Sequence, residues 1–181
     1  MIDGSGWYKG ARHVPSPFSD SRPDVEDISL LVIHNISLPP GQFGGPFIEQ
    51  LFTGRLQPTA HPFFAAIYQS KVSAHCLIRR DGEVVQFVPF TSRAWHAGIS
   101  SFAQRDKCND YSIGIELEGS DFVCYTDEQY QALSVLTKCI QTRFPQITLP
   151  RITGHQYIAP MRKTDPGLVF DWQRYRNGLK R

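Results

Sequence analysis

The sequence predicts an α/β fold in a single domain, a central mixed β-sheet flanked by helices. Three stretches carry that prediction. Ser29-Leu30-Leu31-Val32-Ile33-His34-Asn35 is an apolar run that ends abruptly in a polar residue, as an interior strand does. Ser112-Ile113-Gly114-Ile115-Glu116-Leu117-Glu118 alternates with period two, so Ile113, Ile115 and Leu117 share one face and the other four residues share the opposite one. Thr126-Asp127-Glu128-Gln129 has the form of a capping box, and Tyr130, Leu133, Leu136, Ile140 and Phe144 follow at steps of three and four, an amphipathic stripe that stops before Pro145. Strands and helices of this kind pack as layers around one core. A chain of 181 residues, 41% hydrophobic and 20% charged, is long enough to bury that core unaided.

The remaining elements follow in order. Residues 1–27 contain Val14-Pro15-Ser16-Pro17 and Arg22-Pro23-Asp24, aperiodic and Pro-rich, and are expected to form an ordered arm packed on the domain. After the strand to His34, residues 38–46 hold three prolines and three glycines, which forbid regular structure and place a loop beside His34, well situated to wall a pocket. Residues 47–52 read as a short helix closed by Gly54, and His61, before a proline, as a surface or hydrogen-bonded histidine. Residues 72–79 and 83–88 form a hairpin about the Asp81-Gly82 turn. Trp95-His96-Ala97-Gly98 opens a loop that runs to Asp110, with Trp95 and His96 as candidates for a pocket wall or, for the Trp, a place in the core. Residues 147–153 read as a last extended segment and residues 170–179 as a C-terminal helix.

Charge and cysteine content narrow the classes. A net charge of +2 gives no case for nucleic acid or a membrane surface as partner. The sequence shows neither a basic start followed by an apolar segment nor an apolar run of membrane-spanning length, so the expected location is the cytoplasm. Cys76, Cys108, Cys124 and Cys139 form no CxxC pair and are expected to be free thiols, mostly packing residues.

The chemistry concentrates in Gly154-His155-Gln156-Tyr157-Ile158-Ala159-Pro160-Met161-Arg162-Lys163-Thr164-Asp165-Pro166-Gly167, where an imidazole, an amine and a carboxylate lie on a segment too rich in Pro and Gly for an ordinary helix. His155 and Asp165 could be two of the three protein ligands of a catalytic zinc, with His34 at its strand end the best third. The spacing matches no short zinc motif, and a hydrogen-bonded structural His34 with a turn-forming Asp165 is the competing reading. Glu116 sits amid an apolar strand, where a carboxylate is costly without a partner, and is a candidate general base; Glu118 reads as a solvated strand end.

Taken together, His34-Asn35, Ser73-Ala74-His75-Cys76-Leu77-Ile78, Trp95-His96-Ala97-Gly98, the stretch from Asn109 to Gly119, and Gly154-His155 with Lys163-Thr164-Asp165-Pro166-Gly167 resemble the type-2 zinc N-acetylmuramoyl-L-alanine amidases, a class that includes the peptidoglycan recognition proteins. The resemblance is strongest to the cytosolic branch that acts on 1,6-anhydro-N-acetylmuramoyl peptides in cell-wall recycling. It covers nearly the whole chain, from about Trp7 to Tyr175.

The resemblance implies that one Zn²⁺ per chain is held by His34, His155 and Asp165, with Glu116 as catalytic acid/base and Lys163 as the cation facing the oxyanion. The implied reaction cleaves the amide between the lactyl group of the anhydro sugar and L-alanine, and relatives thereby lower β-lactamase induction. Asn35, Trp95, Lys71 and Lys107 are the implied substrate contacts; relatives tend to carry arginine at the two lysine positions, so a weaker grip on the stem peptide is expected. Small anhydromuropeptides are the expected partners of a monomer. The alternatives are a muropeptide-binding module without catalysis, against which the retained ligands count, and a lytic amidase acting on intact wall.

Overall fold

The computed structural model describes residues 1–180. The elements are β1 (Arg12–His13), β2 (Ser19–Ser21), β3 (Leu30–Ile36), α1 (Phe47–Phe52), β4 (Cys76–Ile78), β5 (Val84–Gln86), β6 (Ser92–Ala94), β7 (Ser101–Phe102), β8 (Arg105–Asp106), β9 (Ser112–Glu118), α2 (Asp127–Arg143), β10 (Ile152–Gly154), α3 (His155–Ile158) and α4 (Trp172–Leu179). One six-stranded sheet has the order β1-β5-β4-β9-β3-β10. Its four central and edge strands β4, β9, β3 and β10 run parallel, β5 returns antiparallel to β4, and β1 lies parallel to β5. The mixed sheet with flanking helices is the predicted class.

Period two decides which residues go where. On β9, Ile113, Ile115 and Leu117 join Leu31 and Ile33 of β3 against Leu133, Leu136 and Ile140 of α2 and Tyr175 of α4, all of them buried. Each such side chain contributes roughly 1.5–3 kcal/mol by leaving water. The α2 cap is the predicted box, with Thr126 accepting from the Gln129 amide and the Gln129 side chain accepting from Thr126. The opposite face carries His34 and Glu116, which stand directly across from each other in the β3–β9 register. Apolar residues of a second cluster, among them Leu51, Phe52, Phe64 and Phe87, fill in beside them.

Four sequence expectations need correction. The arm is woven in rather than laid over the domain: β1 extends the main sheet and β2 pairs with β6. Glu118 is no solvated strand end but 1% exposed, accepting from the Gly44 and Arg80 amides at 2.6 and 3.3 Å with Arg79 3.7 Å away. Those contacts satisfy a carboxylate that would otherwise be costly to bury. Residues 149–151, around Pro150, turn as a 3₁₀ helix, so the last strand is only Ile152–Gly154. The hairpin strands are likewise shorter than their apolar runs, because residues 73 and 75 bond irregularly, to Trp95 and Gly114 carbonyls.

The readings of His61, the cysteines and the absence of a membrane-spanning run hold. His61 caps a 3₁₀ turn by accepting from the Phe63 amide. All four thiols are free, with Cys76 and Cys108 buried, Cys139 half-buried and Cys124 exposed. Among the described residues no helix is long and apolar enough to cross a membrane.

Candidate active site

Three parallel strands end at one place. β3 delivers His34, β9 delivers Glu116, and β10 runs straight into His155, the first residue of α3. The carboxyl ends of parallel strands are where open α/β sheets leave a crevice. The 154–167 segment holds no ordinary helix, only α3, a single turn before the chain loops back. That return is held by backbone bonds from Lys163 to Ala159 at 3.1 Å and from Gln156 to the Asp165 carbonyl at 2.9 Å. Tyr125 adds a bond from its hydroxyl to the Pro166 carbonyl at 2.7 Å, which pins the loop beside Asp165.

His34 Nδ1 and His155 Nδ1 lie 2.9 Å apart, and each is 3.0 Å from Asp165 Oδ2. Ligands about 2.0–2.1 Å from a tetrahedral zinc stand about 3.3 Å from one another, so the trio needs to open by only a few tenths of an ångström to hold one. The three residues are the one group of metal-ligating side chains found among the described residues. Both rings are buried, and each turns its outer nitrogen to a hydrogen-bond partner: His155 Nε2 to the Ala97 carbonyl at 3.1 Å, His34 Nε2 to His96 Nδ1 at 2.9 Å. A carbonyl only accepts, so His155 carries its proton on Nε2 and presents a lone pair at Nδ1.

The electrostatics agree with a cation site. Burial drives the His34 imidazole down to about 4, against the opposing hydrogen bond to Asp165, so the ring is neutral at pH 7. For Asp165, burial works to raise the carboxyl, but the close approach of the His155 and His34 rings outweighs it and holds the group ionised below the usual carboxylate range. Glu116 is pushed well above that range, by burial first and by Asp165 second, with Lys163 opposing. Its Oε2 is buried with no hydrogen-bond partner. An orphaned carboxyl oxygen beside two lone pairs and a carboxylate is an arrangement that a divalent cation and its water would complete.

The cavity over these groups measures about 220 Å³ and is lined by His34, Asn35, Trp95, His96, Glu116, His155, Lys163 and Asp165, with Phe52 and Ser73 among the others. Residues 38–46 are not in its wall, contrary to expectation, because Glu118 ties Gly44 away toward Arg80.

Residues 24–168 match the N-acetylmuramoyl-L-alanine amidase family. The chain belongs to that family. It is 62% identical over 176 residues to the 1,6-anhydro-N-acetylmuramyl-L-alanine amidase AmpD of Citrobacter freundii, covering 97% of this chain and 94% of the relative. It superposes on the crystal structure of a selenomethionine AmpD derivative with a TM-score of 0.96 at 61% identity, over 99% of both chains. AmiD of Escherichia coli, solved with anhydro-N-acetylmuramic acid-L-Ala-D-gamma-Glu-L-Lys, matches with a TM-score of 0.62 at 27% identity, over 98% of this chain and 65% of that one. The protein is therefore an amide hydrolase with a site built for a metal.

Within this amidase the residues expected around the substrate are not all in one place. Asn35 and Trp95 line the cavity; Asn35 donates to Asp121 Oδ1 at 2.9 Å, and Trp95 stacks on Phe18 with centroids 6.3 Å apart. Lys107 lies instead on a neighbouring groove of about 640 Å³ shared with Arg162, Ser100 and Asp106, and Lys71 is exposed outside both linings. His96 lines the cavity, as the sequence suggested, but sequence reasoning missed its place behind His34 and the parts of Ser112 and Asn109 beside it. One signal was present: Gly114 interrupts an apolar strand, and glycine inside a strand often marks a close approach.

That approach is by His96, whose Cγ would lie 2.4 Å from a Cβ at position 114. Gly114→Ala is therefore expected to displace the His96 ring, break its bond to His34 and weaken metal binding about 10- to 100-fold, the usual cost of losing an outer partner of a ligating histidine. Competition with a chromophoric chelator measures it, and an unchanged affinity would show that His96 gives His34 no support.

Proposed function

We propose that this amidase hydrolyses the amide between the lactyl group of 1,6-anhydro-N-acetylmuramic acid and the L-alanine of the stem peptide, with one Zn²⁺ held by His34, His155 and Asp165. In the cell it would act in the cytoplasm, in peptidoglycan recycling, and so lower the signal that induces β-lactamase. The chain, arm 1–27 included, works as one amidase domain and as a monomer, since every group the reaction calls on comes from one copy. The observation that carries the reading is the buried, unpartnered Oε2 of Glu116, set directly across the β3–β9 register from His34. Relatives with that named activity match this chain along nearly their full length, which supports the anhydro sugar over other muropeptides.

Bound there, zinc would supply Lewis acidity to the scissile carbonyl and bring the pKa of a water toward neutrality. The remaining work falls to the protein. Glu116, held above the usual carboxylate range, is suited to take the proton of the attacking water and pass it to the departing amine near neutral pH. Lys163, on the cavity wall, faces the oxygen where negative charge develops. Asn35 and Trp95 position the amide and sugar, while Lys107, in the neighbouring groove, meets a carboxylate of the peptide as a point charge without the bidentate grip of arginine, and Lys71 lies outside both linings.

A mass-spectrometric assay with anhydromuramoyl-tripeptide tests this. Release of free tripeptide that chelation abolishes and zinc restores is the expected result. Tight binding without cleavage would support a recognition module instead, and cleavage of polymeric wall alone would place the protein in the lytic branch.

A further inference from the structure

Behind the ligands, two consecutive residues serve both histidines. The His96 ring meets His34 Nε2 at 2.9 Å, and the Ala97 carbonyl meets His155 Nε2 at 3.1 Å. His96 Nε2 stands 3.2 Å from Ser112 Oγ, so a proton on His34 Nε2 and one on His96 Nε2 satisfy the whole row and leave a lone pair on His34 Nδ1. The outcome depends on where the 96–97 backbone sits, because a peptide rotated there would withdraw both partners at once.

One side chain holds that backbone. Asn109 Oδ1 accepts from the His96 amide at 3.2 Å and from the Ala97 amide at 2.8 Å. Two N–H donors require an oxygen, so the orientation of the Asn109 amide is set by its partners. Asn109 is itself anchored: it lies in the 3₁₀ turn Cys108–Asp110, and the buried Arg22 guanidinium donates to the Asn109 and Asp110 carbonyls, both at 3.1 Å, and to the Ser112 carbonyl at 2.7 Å. The arm thus clamps the turn, the turn carries Asn109, and Asn109 sets the peptide that orients both rings.

We propose that Asn109 is a positioning residue for the metal centre, its side-chain oxygen holding residues 96 and 97 so that His34 and His155 both turn Nδ1 inward. The inference rests on the ligand assignment of the proposed function. It adds that metal affinity depends on an acceptor at position 109, a residue that touches neither metal nor substrate.

Zinc affinity of the purified full chain, measured by chelator competition, tests it alongside melting of the zinc-free protein. Asn109→Ala is expected to bind zinc about 10- to 100-fold more weakly than the wild type. Asn109→Asp keeps an oxygen for both amides and is expected to stay within about threefold, since a carboxylate accepts backbone N–H bonds as well as an amide does. If Asn109→Ala does not fold, Asn109→Gln, which displaces the acceptor by one methylene, takes its place with the same expected loss. Wild-type affinity in the Ala or Gln variant overturns the inference, and so does an equal loss in the Asp variant. A wild-type chain that takes up no zinc fails the ligand assignment itself, a different result from a wild type that binds zinc and an Asn109→Ala that binds it equally well.

Discussion

Asp165→Ala is expected to lower zinc affinity by more than about 100-fold and to lose activity in proportion, because under the proposed assignment it removes a ligand where changes to outer partners already cost 10- to 100-fold. Asp165 Oδ2 stands 3.0 Å from both ring nitrogens and is the only anionic member of the trio. Without it two neutral imidazoles remain, too few for a catalytic zinc site, which takes three protein ligands. The loss has a thermodynamic signature independent of turnover. A ligand that binds only the folded state stabilises it by RT ln(1 + [L]/Kd), so the rise in melting temperature on adding zinc should shrink sharply in the variant. Full zinc stoichiometry together with an unchanged melting shift would show that Asp165 is not a ligand.

The parts of this site that were legible in the sequence are those whose chemistry conflicts with their local setting. His34 ends an apolar strand and Glu116 interrupts one, and each is a polar group placed where burial has to be compensated. The β9 strand was readable to its last residue because alternation, Asn109-Asp110 before it and Gly119 after it all agree. The α2 start was readable for the same reason, a cap, a charge pattern and an apolar stripe pointing one way. What stayed hidden depends on contacts between distant segments. Glu118 looks like a strand end in sequence and becomes buried only because residues 44, 79 and 80 converge on it. Arg22 lies in an arm with no periodicity, yet it is 6% exposed and bonds to carbonyls from residue 90 to residue 112. The tautomers of His34 and His155 are set by partners 62 and 58 residues away, which no local pattern encodes.

Glu116→Gln separates chemistry from metal binding. The amide keeps the shape and the strand position but cannot accept the proton of an attacking water, so turnover is expected to fall by about 10²- to 10⁴-fold, the range typical of a lost general acid–base. Zinc affinity should change little, because Glu116 is not among the three converging ligand atoms. Substrate KM should also hold, since a proton transfer made only in the transition state leaves ground-state binding intact. The variant carries a second consequence for the zinc-free protein. Burial, reinforced by Asp165, raises the Glu116 carboxyl well above its ordinary value in the folded chain. Such a group supports folding fully below its unfolded value, near 4.3, and withdraws that support as pH rises toward the folded one. Glutamine has no charge to bury, so zinc-free Glu116→Gln should gain stability over the wild type as pH is raised from about 4.3 to neutrality. An enzyme that loses turnover while its zinc-free form becomes more stable is the pattern of a residue retained for catalysis at the expense of the fold. Equal stabilities across that pH range would mean that Glu116 is compensated in the folded protein, and a wild-type rate in the variant would remove it from the proton transfer altogether.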